Sequence, residues 1–175
     1  MQKRFTVLAL ILLMLVAAPQ FEAMPTGIGS AGDNGCSCHG GASPDTKVTV
    51  TGLPDTFNAS ETYSFTVTVV NDVMKLNNDG VTEADGTGWN GHSGGFRILS
   101  TSGVVSTVED SLGHDMDGGL THTSEGNDRR TWDFEWVAPA DDTKIVDITV
   151  YGNAVNGGTG SGGDYWNQAD FVIPG

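Results

Sequence analysis

Alternation of large apolar residues with polar ones is the feature that most constrains the fold of this chain. In residues 63–69 every second residue is Tyr, Phe or Val, and the residues between them are Ser or Thr. Residues 132–136 alternate Trp or Phe with Asp or Glu, and residues 146–150 repeat the pattern with Val and Ile. Successive side chains of a strand point to opposite faces, so each segment predicts a strand with one buried and one solvated face.

Shorter β-branched or aromatic segments at 47–51, 96–100, 103–108 and 165–173 predict further strands, separated by Gly-, Pro-, Asn- and Asp-rich connections. The strands at 96–100 and 103–108 are joined by a tight turn, and the stretch that follows them is expected to be irregular. No amphipathic helical stretch follows the N-terminal segment. We predict an all-β fold, an antiparallel immunoglobulin-like β-sandwich of about seven strands with an irregular N-terminal arm.

The N-terminus predicts export. Residues 1–23 have a basic start, an apolar run over 5–18 and the small residue Ala23 before a polar region, as in a secretory signal peptide. The apolar run is shorter than the roughly 20 residues that span a bilayer. We expect a signal peptide over 1–23, an irregular arm over 24–45 and a single sandwich domain over 46–175. The mature protein is then extracytoplasmic, secreted or at the cell surface, with no membrane span.

The charge limits the range of partners. The chain has 22 acidic and 8 basic residues and a net charge of −14. Such a surface repels phosphate backbones, so nucleic acid is not an expected partner. A redox or cell-surface partner is expected, although the sequence does not identify it. The sequence favours an electron carrier or a binding module over an enzyme, and a cysteine nucleophile beside His39 stays open as an alternative.

The segment Cys36-Ser37-Cys38-His39 contains both cysteines of the chain. Two thiols and an imidazole so close together are the groups that bind a metal or attach a haem. One intervening residue makes a bridge between the two cysteines a strained ring. A local disulfide or an attachment point within a structural module nevertheless stays open as an interpretation.

Several short segments resemble a known family. Phe-Glu-Trp-Val-Ala-Pro at 134–139, Gly-Asn-Ala-Val-Asn-Gly at 152–157 with Gly163-Asp164 beyond, and Thr-His-Thr at 121–123 resemble Reelin-domain-like (Reeler) sandwiches of secreted microbial proteins of the variable-anchor type. In that branch a Cys-x-x-Cys-His segment precedes the first strand, and residues 36–39 are similar with one residue fewer. The resemblance implies a Reelin-like β-sandwich.

A haem c site is the leading hypothesis for residues 36–39, with Cys36 and Cys38 as attachment thiols and His39 as an axial ligand. The missing residue shortens the chain by about 3.5 Å, so Cys38-His39 is the part of the attachment motif that remains intact. His122 is our first choice for the second ligand. Further candidates are His114, Met116 and His92. Such a protein would carry electrons outside the cytoplasm.

Two other ions are considered. Cu(I) prefers thiolate, thioether and imidazole ligands, so the same Cys/His cluster could hold copper without haem. Calcium could bind the acidic loop between residues 71 and 95, although its spacing does not match an EF-hand. A non-catalytic interaction module without any cofactor is the remaining alternative.

Overall fold

A computed structural model describes residues 24–73, 93–156 and 162–175. Within these ranges the chain forms nine strands and four single 3₁₀ turns. No helix in the described ranges is long and apolar enough to cross a membrane. The strands are β1 Thr46–Thr51, β2 Thr62–Asn71, β3 Gly94–Ser100, β4 Val104–Thr107, β5 Gly113–Met116, β6 Gly119–His122, β7 Thr131–Val137, β8 Ile145–Ala154 and β9 Tyr165–Pro174.

The strands form two antiparallel sheets that face each other. One sheet has the order β1-β2-β7-β4 and the other has the order β5-β6-β3-β8-β9. The predicted all-β antiparallel sandwich is therefore confirmed, with nine strands in the described residues instead of about seven.

The core between the sheets consists of the inward residues of the alternating segments. Trp132, Phe134 and Trp136 of β7 are at most 1% exposed. The side chain of Phe96, on β3 of the other sheet, extends into this core, and its ring centroid lies 5.0 Å from that of Phe134 and 5.1 Å from that of Trp132. Burial of each such side chain contributes about 1.5–3 kcal/mol to stability, so this aromatic cluster stabilises the packing of the two sheets against each other.

The irregular stretch expected after residue 108 contains the hairpin β5–β6, which supplies the two additional strands. Its turn has Asp117 at φ 48° and Gly118 at φ 78°. Two successive residues with positive φ are typical of a type I′ turn, whose twist matches that of paired strands. The sequence carries the corresponding Asp-Gly signal, so this hairpin was predictable from residues 117–118.

The turn between β3 and β4 transfers the chain from one sheet to the other. β3 pairs with β6 and β8, whereas β4 pairs with β7. The two strands are therefore joined by a tight turn, as predicted, but do not pair with each other. The Trp136 indole donates to the carbonyl of Ser102 at 3.2 Å, which ties this turn to the four-stranded sheet.

Residues 24–45 precede β1 and contain only the 3₁₀ turns Ser30–Gly32 and Ser37–His39. This arm packs on the outer face and one end of the five-stranded sheet. The Trp166 indole of β9 donates to Gly40 O at 2.9 Å, and the Tyr151 hydroxyl of β8 donates to Asp33 O at 2.8 Å. The arm is thus attached to the sandwich along its length.

Candidate functional site

A cavity of about 660 Å³ lies between the arm and one end of the five-stranded sheet. This volume is within the usual range for small-molecule and cofactor sites. Most of its walls are apolar or backbone. The arm contributes Met24, Pro25, Thr26, Gly27, Ile28, Gly29, Ser30, Ala31, Cys36, Cys38 and His39; the sheet and its loops contribute Gly94, Gly95, Phe96, Arg97, Met116, Asp117, His122, Asn127, Asn153 and Val155.

Five of the seven candidate residues predicted from the sequence line this one cavity. They are Cys36, Cys38, His39, Met116 and His122. His114 is on β5, opposite Thr121 in the β5–β6 ladder, and is not among the lining residues. His92 and the acidic loop considered for calcium fall in residues 74–92, outside the described ranges.

His39 is held by a buried carboxylate. Its Nδ1 lies 2.8 Å from Oδ2 of Asp164, a side chain that is 0% exposed, while the His39 side chain is 17% exposed. Because a carboxylate only accepts hydrogen bonds, Nδ1 carries a proton, and in the neutral ring the lone pair is therefore on Nε2. Within the described part of the chain, no group is bonded to Nε2. His39 can therefore act as a ligand through Nε2.

Asp164 precedes β9 and is fixed on both oxygens. Oδ1 accepts the backbone N–H of Asn156 at 2.8 Å, and the Asn156 side chain donates to Gly162 O at 3.0 Å. Arg130 supplies positive charge in the vicinity: burial lowers the pKa of its guanidinium to about 10, and attraction to Asp164 opposes that lowering. In the sequence Asp164 is noted only as part of the family resemblance, with no role at the site, because an Asp in a Gly- and Asn-rich connection is usually solvated.

The two cysteines are unbridged and have different environments. Cys36 is half-buried and Cys38 is exposed. Burial is the largest of the effects that raise the pKa of the Cys36 thiol to about 12, followed by the charges of Cys38 and Asp164. Cys36 is thus a neutral thiol at ordinary pH, and Cys38 is the thiol open to chemistry at the cavity.

His122 and Met116 approach the cavity from the β5–β6 hairpin. His122 Nδ1 lies 3.2 Å from Phe96 N and 3.1 Å from Phe96 O, and Nε2 lies 3.3 Å from Met24 O. With the proton on Nε2, the ring accepts from the Phe96 N–H and donates to Met24 O; with the proton on Nδ1, it donates to Phe96 O. His122 can act as a ligand through Nε2 only in the second tautomer, and it then gives up the hydrogen bond to Met24 O.

Arg97 anchors the arm beside the cavity. This side chain is 1% exposed, and both Nε and Nη2 lie 2.6 Å from Oδ1 of Asp33. Its Nη1 donates to the carbonyls of Ile28 at 2.9 Å and Met116 at 3.0 Å. One guanidinium therefore connects two parts of the arm with the β5–β6 hairpin, which fixes the shape of the cavity wall.

In the described ranges, no three His, Cys, Asp or Glu side chains converge as a compact metal site requires. The candidate ligands are spread around a cavity. A bare ion would need several of them to move toward a common point, whereas a ligand that fills the cavity could contact them where they are.

Residues 91–95, Gly-His-Ser-Gly-Gly, match the Gly-x-Ser-x-Gly pattern of a hydrolase nucleophile elbow. Ser93 is 0% exposed and is followed by β3, not by a helix. The strand-to-helix turn that exposes the nucleophile in an elbow is therefore missing. The Ser93 carbonyl accepts the Arg130 Nε–H at 2.8 Å, so this bond ties the residue before β3 to the residue before β7.

No family model and no curated protein matches the chain. Among solved structures, it is similar to the human F-spondin reeler domain, with a TM-score of 0.46 and 13% identity over 79% of this chain and 98% of that one. It is also similar to a conjugative transposon lipoprotein from Bacteroides eggerthii, with a TM-score of 0.41 and 12% identity over 74% of this chain and 98% of that one. The first similarity agrees with the Reelin-like resemblance of the sequence, and both concern the fold alone.

Proposed function

We propose that this protein is an extracytoplasmic electron carrier whose haem occupies the arm cavity, attached through Cys38 with His39 as an axial ligand. The observation that carries the proposal is the composition of the cavity wall. Cys36, Cys38 and His39 come from the arm, and Met116 and His122 come from a hairpin far along the chain, yet all five line the same cavity.

The residues present fit a haem in three respects. The cavity volume is in the range of cofactor sites, and its walls include Ile28, Phe96 and Val155, which suit an apolar macrocycle. Cys38 is exposed, so its thiol is accessible. His39 has Nε2 available because Nδ1 is bonded to Asp164.

Each thiol has a distinct role in this proposal. Cys38 would hold the haem covalently: its S–H would add across one vinyl group, with a C–S bond formed and the proton taken up by the neighbouring vinyl carbon, so that no oxidant would be needed. The Cys36 thiol stays protonated in its half-buried position, since burial raises its pKa to about 12. Attachment through one thiol agrees with the spacing, which is one residue short of the two-thiol motif.

The remaining residues would hold the group. His39 would bind the iron through Nε2, and Met116 or His122 of the β5–β6 hairpin could supply a second ligand. When bound, haem iron supplies a one-electron couple at a potential set by its ligands and surroundings.

The test is expression of the full chain, with its own N-terminal segment, in a bacterial host that matures c-type cytochromes. We expect an intact-mass increase of one haem and a Soret band in the exported protein. Cys38→Ser should abolish the covalent mass increase, whereas Cys36→Ser, the matched control, should retain it.

Folded, exported wild-type protein without haem would contradict the proposal. Cu(I) titration of that protein then separates the two alternatives, because Cys38 and Met116 offer soft sulfur ligands and His39 an imidazole around the same cavity. Stoichiometric Cu(I) binding that Cys38→Ser abolishes would indicate a copper protein. Absence of both cofactors would indicate an interaction module.

A further inference from the structure

The pair formed by His39 and Asp164 joins residues 125 positions apart in the chain. Aspartate is almost never fully buried unless its charge is compensated, yet the Asp164 side chain is 0% exposed. Both oxygens have a specific donor, the Asn156 N–H on Oδ1 and the His39 ring on Oδ2, each at 2.8 Å. The carboxylate cannot rotate without losing one of these bonds.

A histidine that ligates a metal through one nitrogen commonly donates its other N–H to a carboxylate or a carbonyl. That partner fixes the tautomer and the ring orientation, and it makes the ligating nitrogen a stronger donor. The geometry around His39 has these features: Nδ1 is bonded to a buried carboxylate, and His39 lines the cavity.

We infer that Asp164 is a positioning residue for His39, which would hold the proton on Nδ1, present Nε2 to a bound haem iron and make that nitrogen a stronger donor. This inference rests on the proposed function. It adds a residue just before β9 that has no thiol, imidazole or thioether and does not itself line the cavity.

Asp164→Asn tests this role with minimal change in shape. If the retained amide oxygen keeps the Asn156 N–H, the new NH₂ group faces His39 Nδ1. That ring nitrogen must then accept, which transfers the proton to Nε2 and removes the ligating lone pair. The opposite orientation of the amide would place NH₂ against the Asn156 N–H and lose that bond.

In the haem-loaded protein, we expect Asp164→Asn to keep the covalent haem mass, lose or weaken the spectroscopic signature of histidine ligation, and shift the midpoint potential to a more positive value. Asp170→Asn is the matched control. It removes the same charge six residues further along the chain, but Asp170 is exposed and bonded to Thr149 and Gln168. We expect wild-type ligation in this control and a smaller shift in potential.

Three outcomes would decide the matter. If both variants have the same spectrum and potential, Asp164 only anchors the arm and the inference is wrong, while the haem proposal stands. If the wild-type protein takes up no haem, the proposed function is wrong and this inference falls with it. If Asp164→Asn does not fold, ¹⁵N NMR of the haem-free wild-type protein provides the test: a proton on Nδ1 of His39 supports the inference, and a proton on Nε2 overturns it.

Discussion

Cys36 and Cys38 are separated by one residue but differ sharply in their chemistry. The chain turns at Ser37–His39, where the His39 N–H donates to Cys36 O at 2.8 Å, and the turn leaves Cys36 half-buried and Cys38 exposed. Thiolate is the reactive form of cysteine, so the two thiols should react at very different rates.

We predict that near pH 8, in protein without bound haem, Cys36 is alkylated at least about 100-fold more slowly than Cys38. The reason is that the pKa of Cys36 is raised to about 12, far above the roughly 8.5 of an ordinary cysteine, so that very little of its reactive thiolate is present. The variants Cys38→Ser and Cys36→Ser each leave one thiol, so that iodoacetamide kinetics followed by mass spectrometry report each rate separately. Denaturant should make the rates equal, and equal rates in the native protein would contradict the prediction.

The same shift has a defined effect on stability. The folded state holds the Cys36 proton more tightly than the unfolded state, so its contribution to stability is complete below the unfolded pKa of about 8.5. That contribution is lost as the pH rises toward the folded value of about 12.

At the scale of single residues, sequence reasoning found most of the cavity candidates but not their supports. Thiol, imidazole and thioether groups are rare in this chain, so Cys36, His39 and His122 stand out. Asp164 is part of a segment that carries the family resemblance, but only the folded chain shows that it is buried against His39. Arg97 is likewise in a segment predicted as a strand, and its burial depends on Asp33 of the arm.

The docking of the arm on the five-stranded sheet depends on a glycine that lets its backbone lie close to Trp166. Gly35 has φ +97°, and a methyl group at this position would overlap the ring of Trp166. Gly40 has a similar φ of +93°, but its Cβ position has no atom within 4 Å. The two glycines therefore have similar backbone conformations and different surroundings.

We predict that Gly35→Ala destabilises the protein more than Gly40→Ala. Both substitutions place a side chain at positive φ, which costs about 1–2 kcal/mol, and Gly35→Ala adds an overpacking cost of about 1–3 kcal/mol against Trp166. The free energy of unfolding from urea titration measures the difference. Equal losses of unfolding free energy in the two variants would show that the arm does not pack closely against Trp166 in solution.

The strands were predictable where alternation was long, as in β2, β7 and β8, because one face of each is buried in the core. The short strands β5 and β6 have only four residues each, too few to show a clear alternation of apolar and polar residues. The Asp-Gly turn between them is the one sequence signal that predicts this hairpin. The path of the arm was not predictable, since its contacts are single bonds with residues distant in the sequence.

At the scale of the whole molecule, acidic residues outnumber basic ones by 22 to 8. Mutual repulsion among exposed carboxylates destabilises the compact state, and salt screens that repulsion. The described residues contain few compensating ion pairs at the surface; the pair between Arg129 and Glu109 is separated by 3.9 Å and both side chains are exposed. A pair of this kind contributes little to stability.

We predict that the melting temperature rises by about 3 °C or more when NaCl is increased from about 0.05 M to about 1 M, where the screening length falls to about 3 Å. The matched control replaces three exposed acidic residues, as Asp55→Asn, Glu135→Gln and Asp142→Asn. Differential scanning calorimetry should show a smaller salt response in this variant. A melting temperature that does not depend on salt would mean that repulsion is not significant.

The distance in sequence between His39 and Asp164 also sets an order of events during biosynthesis. A ribosome makes the chain from its N-terminus, so residues 36–39 exist long before Asp164, which follows His39 by 125 positions. Until Asp164 is made, the His39 ring has no buried carboxylate beside it. Under the proposed haem attachment, an enzyme that acts on the thiols before the chain is complete would meet an arm whose His39 is not yet held in place.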